Sequence, residues 1–403
     1  MSATRGGRSG PLRGVRGLRG LRGIRAVRLR RWSFVAVLVA LAVGTPSVVA
    51  AWPVAPVVAV DAAALRDRIA ASEALPWSGY AESGAGFGLP RLGPLSDVTS
   101  LLGGTTRMRA WYAAPDRARV DQLSVSGERD RYTTPEGQAV WDYGADLLTL
   151  VRRDPEVRLP RADDLLPPQL ARRLLSGTTP DDPVTALPAR RVAGVDAAGV
   201  RIGVTDPRTT VGALDVWADP ATGLPLAVEV TGKGALAPVL VTRFLSLTQG
   251  PPDPAALVPR RGPGSGLTRS PSSDLFGVLG RGDPRVVPRT VDGIPRERPQ
   301  RGFAAIGKYG TTLAQLVVVP LPVDISETLL QGLDRAGAAA RPLDVGTGDG
   351  RAAAVEAPLL SIAVVRERDR AWAVTGLVTR DVLDRAARDV AASALVPPPR
   401  SRR

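Results

Sequence analysis

Residues 212–232 read GALDVWADPATGLPLAVEVTG, and this stretch decides the fold. The run Asp-Pro-Ala-Thr-Gly separates two segments of strand-forming residues, as a tight hairpin turn requires. Beyond the turn Leu226, Val228 and Val230 alternate, giving that strand one apolar face. A hairpin of this kind belongs to an antiparallel sheet packed on one side.

Working outward, the same pattern recurs. Residues 106–114 (TRMRAWYAA), 117–127 (RARVDQLSVSG), 130–144 (DRYTTPEGQAVWDYG) and 146–153 (DLLTLVRR) read as successive strands with turn residues between them. Residues 165–177 (LLPPQLARRLLSG) interrupt as a short helix ending at Gly177. Strands then resume at 189–205, in the opening hairpin, and at 237–248. Upstream, residues 61–74 predict a helix capped by Asp61, with Leu65, Ile69 and Ala70 on one face. Together these predict an α+β fold: a strongly curved antiparallel sheet with helices available to cover it.

Residues 249–274 are rich in Pro, Gly and Ser and lack periodicity, which reads as an interdomain linker. A second, smaller α+β unit is expected over 275–396. Its strands are predicted at 302–310, 315–322, 359–368 and 371–378, with helices near 326–336 and 379–395. Residues 397–403 read as a disordered tail.

The 403-residue chain carries a formal charge of +14, unevenly placed. Ten arginines and no acid lie in residues 1–31, so the remainder carries only about +4, the difference between the two. Residues 32–60 contain no charge. A helix over 32–52 would span about 30 Å, enough for a bilayer. A basic arm (1–31) ahead of an apolar segment (32–52) is the layout of a secretory signal or membrane anchor. The body, 61–248 and onward, is therefore expected outside the cytoplasm and away from nucleic acid.

Histidine and cysteine are both absent, which excludes a Ser-His-Asp triad, thiol nucleophiles, disulfides and structural zinc. No cofactor is expected. Gly346-Thr347-Gly348-Asp349-Gly350 superficially matches a nucleotide-binding loop, but too little chain follows for a doubly wound sheet. A glycine-rich hairpin turn is the expectation there. The carboxylate pairs Asp163/Asp164 and Asp181/Asp182 sit in proline-bounded loops and are expected to be solvated. Trp111, Trp141 and Trp217 lie in predicted strands, where two readings stand open: core packing, or the lining of an apolar cavity under the sheet. With Met108, Leu226, Val228 and Val230 they form the candidate cavity set.

Residues 75–84 (LPWSGYAESG), the aromatic and arginine-bearing strands of 108–143, and 190–207 occur in an order that resembles the MucB/RseB family. The Val-Ala-Gly turn at 192–194 and the hairpin at 217–226, followed by 242–247 (TRFLSL), carry the resemblance further. It implies a LolA-like half-open β-barrel with covering helices, without enzymatic activity. It further implies an extracytoplasmic, membrane-targeted regulator that binds a lipid or lipoprotein ligand. The implied membrane partner is an anti-sigma factor, in envelope-stress signalling. The alternative is a lipid or lipoprotein carrier with no regulatory partner.

Overall fold

The computed structural model describes residues 60–90, 92–125, 127–152, 157–272, 279, 286–311, 313–346 and 350–394. The basic arm, the apolar segment 32–52 and the tail 397–403 lie outside the described residues. Among the described residues no helix is long and apolar enough to cross a membrane. All of them belong to one compact unit, Val54–Arg403.

A twelve-stranded sheet dominates the first two thirds of that unit. Its strands are β1 (Trp77–Ala85), β2 (Thr105–Ala114), β3 (Arg117–Ser124), β4 (Gly127–Thr134), β5 (Gly137–Asp142) and β6 (Leu147–Val151). They continue with β7 (Val184–Val192), β8 (Val195–Gly203), β9 (Val211–Ala218), β10 (Pro225–Gly232), β11 (Leu240–Gln249) and β12 (Gly266–Ser270). The spatial order is β12-β6-β5-β4-β3-β2-β1-β11-β10-β9-β8-β7. Two meanders thus meet where β1 pairs with β11, and the end strands β12 and β7 do not pair with each other. The result is a half-open barrel.

The opening hairpin joins β9 to β10. Gly223 donates to Asp219 O at 2.8 Å and Asp219 to Leu224 O at 3.0 Å, closing the turn. Gly223 sits at φ +76°, a conformation that glycine adopts without strain. A Cβ there would also stand 2.6 Å from the Arg68 backbone. Arg68 belongs to α1 (Ala62–Ala71), whose Asp61 cap accepts from Ala64 N at 3.1 Å. Leu65 and Ile69 of α1 are buried; Ala70, expected beside them, is exposed.

Helix α2 (Ser96–Leu102) follows β1, and α3 (Pro167–Leu175) starts on two prolines at its first turn, where no backbone donor is lost. Leu170, Ala171, Leu174 and Leu175 of α3 join Leu65 and Ile69 in the main core, over β10 and β11. Residues 249–274 are more than a spacer. A 3-10 turn at Pro254–Leu257 lies by β3, and β12 pairs in parallel with β6. β12 is an exposed edge held by backbone hydrogen bonds, so it needs no apolar alternation, which hid it from pattern reading.

The second sheet is built from β15 (Gly307–Tyr309), β16 (Leu316–Leu321), β17 (Arg341–Pro342), β18 (Arg351–Glu356), β19 (Ser361–Glu367) and β20 (Arg370–Gly376). Its order is β15-β16-β20-β19-β18-β17, preceded by a small ribbon of β13 (Thr290–Val291) and β14 (Ile294–Pro295). Helix α4 (Val323–Arg335) packs Leu329, Leu330 and Leu333 on Ala353, Val355 and Val364. Helix α5 (Arg380–Ala394) packs Leu383, Ala387 and Val390 on the opposite face, among Ala354, Ala363 and Val374. The glycine-rich stretch leads from β17 into the antiparallel strand β18, with Leu343 N donating to Ala352 O at 2.9 Å. A hairpin, not a strand-to-helix phosphate loop, occupies this position; Thr347, Gly348 and Asp349 themselves lie outside the described residues.

Candidate functional site

Register divides the seven candidate cavity residues between two faces. Met108 pairs with Ala81, and Val228 and Val230 pair with Val216 and Leu214. These residues, with Leu226, point to the side covered by α1 and α3 and are almost wholly buried. Trp111, Trp141 and Trp217 alternate with inward residues and point to the other side. There Trp217 donates Nε1 to Pro188 O at 3.1 Å, under the Arg190 guanidinium. Trp141 packs with Tyr132, Ala139 and Leu148. The structure therefore brings Met108, Leu226, Val228 and Val230 into one packed core, which Trp217 joins from the other face, and places Trp111 and Trp141 outside it.

The open part of the inner face lies farther along, at β3–β5. A cleft of about 530 Å³ is bounded by α2, by residues 159–163 and by the inner side of these strands. Val98, Leu101, Val120, Leu159 and Ala162 form its apolar walls. Arg129, Arg131 and Arg161 enter it alongside Asp97, Asp142 and Asp163. Inward positions of β3 and β4 are Val120, Gln122, Arg129 and Arg131, as the pairs Gln122–Arg129 and Val120–Arg131 require.

The charges are organised rather than loose. Arg129 reaches Asp142 at 2.8 Å and Asp97 at 3.3 Å, tying β4 to β5 and α2. Burial would raise the Asp142 carboxyl, but the Arg129 hydrogen bond and the Ala145 N–H hold it below the usual range. Arg131 and Arg161 share Gln138 Oε1, at 3.3 and 3.2 Å. Asp164 closes the base of this wall: it takes Arg158 in a fork at 2.6 and 2.7 Å and caps Arg161 N at 2.9 Å. Burial pushes its pKa up, and the Arg158 bonds and charge outweigh that. Asp182 likewise caps Thr179 N at 2.7 Å and Thr205 N at 2.8 Å. Asp164 and Asp182, expected as solvated, are structural acceptors; Asp163 lines the cleft.

Both cleft walls continue into the second sheet. Leu92, just ahead of α2, packs with Leu329, Leu330 and Leu333 of α4, beside Leu89 and Leu95. Leu159 and Val157 pack on Ile306 and Val319. Elsewhere Thr209 Oγ1 donates to Leu377 O and Thr210 Oγ1 to Leu359 O, at 2.8 and 2.7 Å.

Fold and site together define an α+β protein: a half-open antiparallel barrel with helices in its mouth, a charged cleft beside them and a smaller sheet packed against the cleft walls. Among solved structures the chain is similar to MucB, at 17% identity and TM-score 0.45, over 81% of this chain and 96% of that one. It is similar at 18% identity and TM-score 0.42 to the MucA/MucB complex structure from Pseudomonas aeruginosa, over 81% and 97%. A LolA superfamily protein from Nitrosomonas europaea matches at 11% identity and TM-score 0.23, over 50% of this chain and 99% of that one. No family model matches the chain, and no curated protein does.

Proposed function

We propose that this chain is an extracytoplasmic, membrane-targeted regulator that takes a lipidic or lipoprotein ligand and modulates a membrane partner of the anti-sigma-factor kind, without catalysing a reaction. The observation that carries the reading is the cleft: apolar walls beside a charged rim suit an amphiphile with a polar head. Each methylene buried there contributes about 0.8 kcal/mol, so an acyl chain binds without a dedicated polar contact. Met108, Leu226, Val228 and Val230 act in this reading as the packed floor of the barrel, and the ligand enters at β3–β5.

A regulator is favoured over a simple carrier by the double attachment of the cleft walls, through Leu92 to α4 and through Leu159 to Ile306. Wall movement on ligand entry would shift the second sheet, where a carrier needs no such link. Native mass spectrometry with lipid extraction on the full chain tests the ligand, and crosslinking in membranes tests the partner. Recovery of a bound amphiphile together with one crosslinked membrane protein supports the reading. Lipid capture without any single partner supports the carrier instead; no amphiphile and no uptake of a fluorescent fatty acid removes both.

A further inference from the structure

Away from the cleft, on the outer face, Asp121 of β3 stands directly opposite Asp130 of β4, and neither is exposed. Arg119 forks onto Asp121 at 2.6 and 3.0 Å and reaches Asp130 Oδ2 at 2.8 Å. Its guanidinium is itself held between Trp111 and Tyr132, 4.9 and 5.0 Å from the ring centres. Tyr132 Oη approaches the same Asp130 oxygen at 3.4 Å. The other oxygen, Asp130 Oδ1, is buried and has no hydrogen-bond partner among the described residues. Glu128, two residues along the same face, is held by Arg109 at 2.7 Å, and Arg109 also lies 3.7 Å from Asp121.

Three carboxylates against two arginines leave one negative charge next to an orphan oxygen, with Asp121 and Asp130 themselves closed to water. Such an arrangement is unfavourable unless something positive completes it. One oxygen from each of Asp121, Glu128 and Asp130 lies within 4.8 Å of the others. Oxygens on opposite sides of Ca²⁺, each about 2.4 Å from the ion, are separated by about the same span. All three are hard oxygen ligands, and the chain has no histidine or cysteine to attract a softer metal. Glu128, partly exposed, supplies the way in from solvent.

From this geometry we infer that Asp121, Glu128 and Asp130 form a binding site for a hard divalent cation of the Ca²⁺ class. Asp130 Oδ1 is the inner ligand, Glu128 the outer one, and water completes the shell. Arg119 and Arg109 keep the carboxylates in place and hold the affinity down, in the range of a weak extracellular site. A proton is the natural competitor: burial, and then the neighbouring Asp121 charge, push the Asp130 pKa up to about 7. Asp121 and Asp130 lie outside the ligand cleft, and Glu128 stands at its border, so the two sites adjoin.

Terbium tests it, because Trp141 is the cross-strand neighbour of Asp130 and can sensitise a bound lanthanide. The full-length protein is titrated with Tb³⁺ under tryptophan excitation, then with Ca²⁺. Saturable sensitised emission, displaced by Ca²⁺, is expected, with Glu128→Gln weakening it on the order of tenfold. Asp130→Asn should abolish it, and the surface variant Asp67→Asn should leave it unchanged. Glu128 is partly exposed, so its variant keeps the test valid if Asp130→Asn fails to fold. Absent emission, emission that Ca²⁺ does not displace, or equal affinity in Glu128→Gln overturns the inference. So does a stability that follows pH alone and ignores millimolar Ca²⁺.

Discussion

The Arg190 guanidinium lies 3.6 Å from the centre of the Trp217 ring and reaches Glu229 at 2.8 Å. One side chain of β7 thus touches β9 and β10, holding the free edge of the barrel against strands beyond its own neighbour. Cation–π contact in a partly desolvated setting is worth about 1 kcal/mol, and the half-exposed ion pair adds a few tenths. Arg190→Ala should therefore lower the urea midpoint by roughly 1 kcal/mol of stability, with a change in tryptophan fluorescence. Arg190→Lys should recover less than half, since an ammonium cannot lie flat on the indole.

Gly223 makes a sharper prediction. Its φ of +76° and the 2.6 Å approach to the Arg68 backbone leave no room for a methyl group. Gly223→Ala should cost about 2 kcal/mol or more, from strain and from displacement of α1. Thermal unfolding measures it, and a cost below about 0.5 kcal/mol would show that α1 yields freely.

Asp164 should be equally sensitive. Asp164→Ala takes the forked carboxylate from Arg158 and leaves Arg161 N without this acceptor, a loss of about 2–3 kcal/mol. Because its folded pKa is lowered, its contribution is present above the ordinary carboxylate pKa and lost as pH falls through the folded value. Acid titration of parent and variant should accordingly converge at low pH.

Asp130 behaves with the opposite sign. Its folded pKa of about 7 exceeds the ordinary value of 3.8. The native state binds the proton more tightly, so this group's contribution is fully present below pH 3.8. It is lost as pH rises to about 7 and is constant above that. Arg119, Arg109, Glu128, Asp121, Tyr132 and Tyr143 face the same layer, and burial pushes the Asp121 carboxyl up as well. With a chelator present, Asp130→Asn should gain on the parent in denaturation midpoint between pH 4 and 7. Parallel curves would refute the protonation of Asp130.

Ser100 is exposed and lines the cleft. Ser100→Trp should fill part of the 530 Å³ and reduce fluorescent fatty-acid uptake severalfold while leaving the unfolding midpoint within about 0.5 kcal/mol. Undiminished uptake would place the ligand elsewhere.

Much of this fold is legible from residues alone, for identifiable reasons. The Asp-Pro-Ala-Thr-Gly turn, the alternation at Leu226, Val228 and Val230, and the Asp61 cap are local signals, and each appears in the structure where the pattern puts it. What pattern cannot supply is which face of a strand gets covered. Trp111 and Trp141 fit core packing and cavity lining equally well as residues, and only the strand register turns them to the outer face. The cleft was missed because its inward positions, Arg129 and Arg131, look like a solvated face. Only the period-2 spacing of those arginines on the parity of Val120 and Met108 could have revealed them. Asp164 and Asp182 read as solvent-facing because caps are made by backbone geometry that composition does not record.

The pairing of β1 with β11 carries a kinetic consequence. Trp77 lies opposite Gln249, so the first strand of the barrel meets its second neighbour only after some 170 residues have been made. Emerging from its N-terminus, the chain exposes one edge of β1 throughout the synthesis of β2–β10, and β6 in turn waits 119 residues, from Leu147 to Gly266, for β12. Contacts this distant in sequence make folding slow, and an unpaired apolar edge invites association with other chains in the interval. A holdase that covers the nascent β1 edge should therefore raise the yield of this protein more than any substitution that strengthens its finished core.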